Sequence, residues 1–128
     1  MQLQLVKGKI HRATVTEADV NYEGSIGIDA NLMKAADIVP YEAVHVWNVT
    51  RGSRLMTYAI EAPAGSGEIK TNGGAALHNL PGDIVIIAAF ALMTPEEAKE
   101  FTRGGGPMIV LVDSKNQFQS IFPAENRK

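Results

Sequence analysis

The stretch Asn21-Tyr-Glu-Gly-Ser-Ile-Gly-Ile-Asp29 sets a hydroxyl side chain directly after a glycine, with an aromatic and an acidic residue before the pair. A serine so placed can attack the preceding carbonyl, an N-to-O acyl shift that turns the Gly24–Ser25 amide into an ester. Glycine suits the leaving side because it accepts strained backbone angles and leaves its carbonyl unshielded. Elimination from the ester leaves dehydroalanine, which hydrolyses to an N-terminal pyruvoyl group. Gly-Ser is also an ordinary turn pair, and the dipeptide alone does not separate the two readings.

Other residues carry chemistry by their spacing. Lys9 and His11 are two apart, as are Arg54, Met56 and Tyr58, so each set shares one face of an extended segment. A guanidinium grips a carboxylate in a fork and a phenol passes a proton, which suits a small dianionic substrate; a solvated surface pair is the plainer alternative. Thr57 falls on the face opposite Tyr58. Asn72-Gly73 has the pattern of a tight hairpin turn. His11, His45 and His78 lack ligand spacing, so no metal is expected. Cysteine is absent, which removes disulfides and thiol catalysis.

Short β-rich runs must position these groups. Residues 44–49, 55–60, 83–90 and 108–113 read as strands, and 51–53, 64–67, 72–74 and 81–83 as turns. The apolar run 84–90 predicts a strand covered on both sides, which favours a small barrel. Three short helices are expected. Thr16-Glu-Ala-Asp19 starts one, Asp29 caps another over 31–36, and Thr94-Pro-Glu-Glu97 opens the third with a capping box. Gly104-Gly-Gly-Pro107 breaks the chain before the last strand and looks flexible, and the tail from Phe118 is expected to fray. Trp47 is expected in the core or at a subunit contact, and Glu23 as a solvated neighbour of the serine.

The 128 residues, 45% of them hydrophobic, predict a single domain over 1–128. Twelve Lys plus Arg against fourteen Asp plus Glu leave a net charge of −2, so nucleic acid is not an expected partner. The longest apolar run, 84–93, is about half of the roughly 20 residues that a spanning helix needs. A soluble cytoplasmic protein without membrane partners is expected.

Four segments carry a likeness to a known family: KGKIHRATVTEADVNYEGS (7–25), WNVTRGSRLMTYAI (47–60), NGGAA (72–76) and PGDIVII (81–87). In order and without apparent gaps from about residue 5 to about residue 113, the chain resembles the aspartate 1-decarboxylase family, the pyruvoyl enzymes of pantothenate biosynthesis.

The resemblance implies a mainly β, double-psi β-barrel with a few short helices, assembled as a homotetramer with active sites between subunits. It implies cleavage between Gly24 and Ser25 into chains 1–24 and 25–128, with a covalent pyruvoyl group made from Ser25 and no dissociable cofactor. The pyruvoyl carbonyl would form an imine with L-aspartate and accept electrons as CO2 leaves, yielding β-alanine. Lys9 and Arg54 become carboxylate clamps, and Tyr58 the acid that protonates the α-carbon. Thr57 and Asn72 assist processing, Thr57 with Gly73, Gly74 and Ala75 lines the pocket, and His11 and Tyr22 support it. Gly74 stands where the family usually has alanine, which predicts a looser pocket wall. A maturation factor is a further partner the resemblance admits. Two alternatives stay open: an unprocessed small β-barrel that binds a small anion or a protein partner, and a pyruvoyl decarboxylase for another amino acid.

Overall fold

Val44, Val46 and Asn48 are buried while Ala43, His45 and Trp47 on the same strand are not, and this period of two shapes most of the chain. The computed structural model describes residues 1–123. Their strands are β1 (Leu3–Thr14), β2 (Glu17–Asp19), β3 (Ser25–Asp29), β4 (Ala43–Asn48), β5 (Arg54–Ala62), β6 (Ile69–Asn72), β7 (Ile84–Met93), β8 (Met108–Val112) and β9 (Phe118–Pro123). Two α-helices, α1 (Ala30–Ala35) and α2 (Pro95–Arg103), and a 3-10 helix at Gly73–Leu77 complete the elements. All four expected strands are present.

The strands form one sheet in the order β2-β6-β3-β5-β4-β7-β1-β8-β9. Parallel pairs (β1 with β8, β2 with β6, β3 with β5) mix with antiparallel ones. The two ends of the order are not paired with each other. One buried cluster nevertheless draws Ile10 from β1, Ile26 and Ile28 from β3, Val46 from β4, Ile69 from β6 and Ile87 from β7. A sheet this wide gathers one face into a single cluster only by curling round it. Strand β7 lies between β4 and β1, with Val85, Ile87 and Ala89 in the core and Ile84, Ile86 and Phe90 half-buried on the other face.

Both later helices start as expected. Asp29 accepts from the N–H of Asn31 at 2.8 Å, and Thr94 and Glu97 form a reciprocal capping box. Residues 16–19 do not form a helix. The Thr16 hydroxyl donates to the Ile69 carbonyl (3.1 Å) and accepts from the Ile69 N–H (2.9 Å), so it serves β6 and the segment continues as strand β2. Asn72-Gly73 is not a hairpin: Asn72 ends β6 in extended geometry and Gly73 starts the 3-10 helix. Gly104–Gly106 is a hydrogen-bonded helix end, the N–H of Gly105 reaching Thr102 O and that of Gly106 reaching Phe101 O, as in a Schellman motif. The expected fraying does not begin at Phe118, because Phe118–Pro123 pairs with β8; the rest of that tail lies outside the described residues. Trp47 is outside the core cluster, half-buried on the outer face beside Phe90.

Candidate active site

Antiparallel pairing of β3 with β6 sets Ser25 opposite Asn72. The Asn72 side-chain Nδ2 donates to Ser25 Oγ at 2.9 Å, and the Ser25 hydroxyl donates to the Glu23 carbonyl at 3.4 Å. Ser25 and Asn72 are each 1% exposed. Gly24 is exposed, and a Cβ built on it meets no heavy atom within 4 Å. Its φ is not in the left-handed region that favours glycine.

A cleft of about 350 Å³ opens at this point, lined by Gly24, Thr57, Asn72, Gly74 and Ala75. Gly73 lies beneath the segment Tyr22–Gly24. At φ +64°, a Cβ on it would sit 2.8 Å from Gly24 Cα and 3.1 Å from the Tyr22 carbonyl, so only glycine allows this approach. Leu55, Met56 and His78, to which no role had been given, also line the cleft. A second cleft of about 380 Å³ beside α1, lined in part by Met33, Ile38 and Glu61, contains no candidate residue.

Strand β5 divides its side chains as the spacing predicts. Arg54, Met56 and Tyr58 are exposed on the outer face, and Leu55 and Thr57 are half-buried on the inner one. The Arg54 guanidinium lies 5.1 Å from the centre of the Trp47 ring, and Tyr58 lies 6.4 Å from Tyr41, ring centre to ring centre. Lys9 and His11 flank the fully buried Ile10 and therefore share the outer face of β1. In register, Lys9 pairs with Ala88, Ala88 with His45 and His45 with Met56, a row across four strands. The structure thus gathers Gly24, Thr57, Asn72, Gly74 and Ala75 at one cleft, with Ser25 buried beside it on Asn72 and Gly73 packed against Gly24 and the Tyr22 carbonyl. Lys9, His11, Arg54 and Tyr58 do not line that cleft.

A polar network missed in the sequence holds the cleft from behind. Asn48 Nδ2 shares its two hydrogens among His78 O (3.1 Å), Asn79 Oδ1 (3.0 Å) and Asp83 Oδ2 (3.0 Å). Asn79 Nδ2 donates to Ala75 O at 3.0 Å, and Thr71 Oγ1 to Asn79 O at 2.8 Å. Arg51 Nε donates to Asp83 Oδ2 at 2.6 Å. Burial alone would raise the Asp83 pKa, but the hydrogen bonds from Arg51, Asn48 and the Leu80 N–H prevail and lower it. Turn chemistry hid Asn79 and Asp83, since Asn and Asp in loops usually serve their own backbone. No cluster of three or more His, Cys, Asp or Glu side chains able to hold a metal occurs among the described residues.

Fold and cleft together define a small, mainly β protein with a cleft beside the Gly24–Ser25 bond. A family model described as aspartate decarboxylase matches residues 1–119. Among relatives, an aspartate 1-decarboxylase of Stenotrophomonas maltophilia (strain K279a) is 58% identical over 117 residues, 91% of this chain and 90% of its own length. One of Xylella fastidiosa (strain 9a5c) is 54% identical over 116 residues, 91% of this chain and 89% of its own. The chain belongs to the aspartate decarboxylase family, whose fold is a double-psi β-barrel and whose activity is decarboxylation of aspartate to β-alanine. No helix among the described residues is long and apolar enough to cross a membrane.

Proposed function

We propose that this chain is a self-processing, pyruvoyl-dependent decarboxylase of L-aspartate, acting in pantothenate biosynthesis in the cytoplasm. The observation that carries the reading is the buried Ser25 hydroxyl, held by Asn72 directly after the exposed Gly24 that lines the cleft. Attack of Oγ on that carbonyl forms the ester bond and breaks the amide, and the hydroxyl proton ends on the freed nitrogen. Loss of the Ser25 α-proton then expels Gly24 as a carboxylate and leaves dehydroalanine. Addition of water and loss of ammonia give the ketone.

The site fits such a group: position 25 is enclosed, the Asn72 amide lies within hydrogen-bond reach of it, and Gly24 faces open space. A pyruvoyl carbonyl supplies an electron sink for the departing carboxylate's electron pair. Arg54 and Lys9 hold the substrate carboxylates, and Tyr58 returns a proton to the α-carbon. Thr57 and Asn72 assist processing, while Gly73, Gly74 and Ala75 shape the wall; Tyr22 and His11 support it. Because Lys9 and Arg54 lie on the outer face, a second protomer completes the site, and we assign a tetramer.

Denaturing intact-mass measurement tests this. Purified wild-type chain is expected to give two fragments divided at Gly24, the larger lighter by one ammonia than a serine-started chain. Ser25→Ala is expected to stay whole and inactive, and a whole, active Ser25→Ala chain overturns the reading.

A further inference from the structure

Lys70 is two residues before Asn72 on β6 and therefore on the same side of the strand. It pairs with Glu17 on β2 and with Gly27 on β3. A Cβ built on Gly27 would lie 3.6 Å from Lys70 Cβ, so the lysine stem runs directly beside β3. The ammonium reaches Glu17 Oε2 at 3.3 Å and sits 4.9 Å from the centre of the Tyr22 ring. One cation thus bridges a carboxylate on a paired strand and a ring on the exposed stretch 20–24 that ends at the Gly24–Ser25 bond. That stretch belongs to no strand. Its first part is tethered by the Asn21 and Tyr22 N–H groups, which donate to Asp19 at 3.0 and 3.3 Å. The hydrogen-bonded Glu17 raises the Lys70 pKa against partial burial, with further help from the charges of Asp19 and Glu68, so the cation is firmly protonated at neutral pH.

We propose that Lys70 is a positioning residue for self-cleavage, strapping Tyr22 to β2 and β6 so that the Gly24 carbonyl is presented to the Ser25 hydroxyl. The proposal rests on the self-processing reading above. Intramolecular attack needs the reacting atoms aligned, and each loosely held residue before the bond adds freedom that alignment must remove. A cation over an aromatic face, anchored at its other side by a carboxylate, restrains the loop without entering the chemistry.

The test follows freshly made full-length chain by denaturing intact mass. Lys70→Ala is expected to divide about 3- to 10-fold more slowly than wild type. Lys70→Arg, which keeps both the pair and the stacking, is expected within about twofold of wild type. Combining Lys70→Ala with Tyr22→Leu should slow division no more than the slower single change, because both remove one contact. High salt should slow wild type and leave Lys70→Ala unmoved. A Lys70→Ala chain that melts earlier yet divides at the wild-type rate overturns the strap alone. A wild-type chain that never divides overturns the self-processing reading, and the strap with it.

Discussion

Asn72 donates its side-chain N–H to Ser25 Oγ at 2.9 Å while the carbonyl oxygen of the same amide is buried without a hydrogen-bond partner among the described residues. An orphaned buried acceptor costs about 1–3 kcal/mol, so the amide is turned toward the serine at the expense of stability. Such local inconsistency is typical of functional positions.

Asn72→Ala removes one neutral hydrogen bond and one orphaned acceptor together. Self-cleavage is expected to slow about fivefold, the effect of roughly 1 kcal/mol, and not to stop. The thermal midpoint should move by only a few degrees. Intact-mass time courses and thermal melts check both, and an unchanged cleavage rate would sink the assigned role.

Two adjacent glycines should respond in opposite ways. Gly73→Ala drives a Cβ to 2.8 Å from Gly24 Cα at positive φ, and should destabilise by about 1–3 kcal/mol. Gly74→Ala meets nothing within 4 Å and should be neutral or stabilise by about 0.4–1 kcal/mol. Denaturant melts of the two variants check the contrast, and equal losses would contradict it.

If Arg54 clamps a substrate carboxylate as proposed, Arg54→Ala should lower kcat/KM for aspartate about 10- to 100-fold, chiefly through KM, with loss of the charged fork. Arg54→Lys should recover only part of this. β-Alanine release from fully cleaved enzyme is the readout. Undiminished turnover in the alanine variant would remove Arg54 from the substrate clamp.

Asp83 sets an acid limit on the fold. Its folded pKa is lowered, so its contribution to stability is complete above the unfolded-state value of about 4 and fades as pH falls through the lower folded value. Asp83→Asn is expected to melt earlier than wild type at pH 7 and to show a flatter decline in acid. Melting curves from neutral pH down to about pH 2 test this, and parallel acid limbs would refute it.

What the sequence disclosed followed from local rules. The alternation of Arg54, Met56 and Tyr58 against Thr57 is a property of any extended strand, and the caps at Asp29 and Thr94 need only neighbouring residues. Thr16 deceived because its hydroxyl is claimed by Ile69, far away in the chain and invisible to a local pattern. Asn72-Gly73 read as a hairpin because its partners, Ser25 and Gly24, come from another strand and the segment leading into it. The Asn48–Asn79–Asp83 network and the Lys70–Tyr22 contact likewise depend on long-range pairing. The roles of Lys9 and Arg54 came from likeness to the family, since spacing shows only that Lys9 and His11 share one face, as do Arg54 and Tyr58.

The first 24 residues are woven into the barrel, β1 between β7 and β8, and β2 along β6. Severing the backbone after Gly24 therefore would not release the short piece, which stays laced in by its ladders. Melting would become a dissociation, with a midpoint that climbs with protein concentration. Maturation would then be a one-way passage, because strands first folded as one molecule would have to find each other again as two.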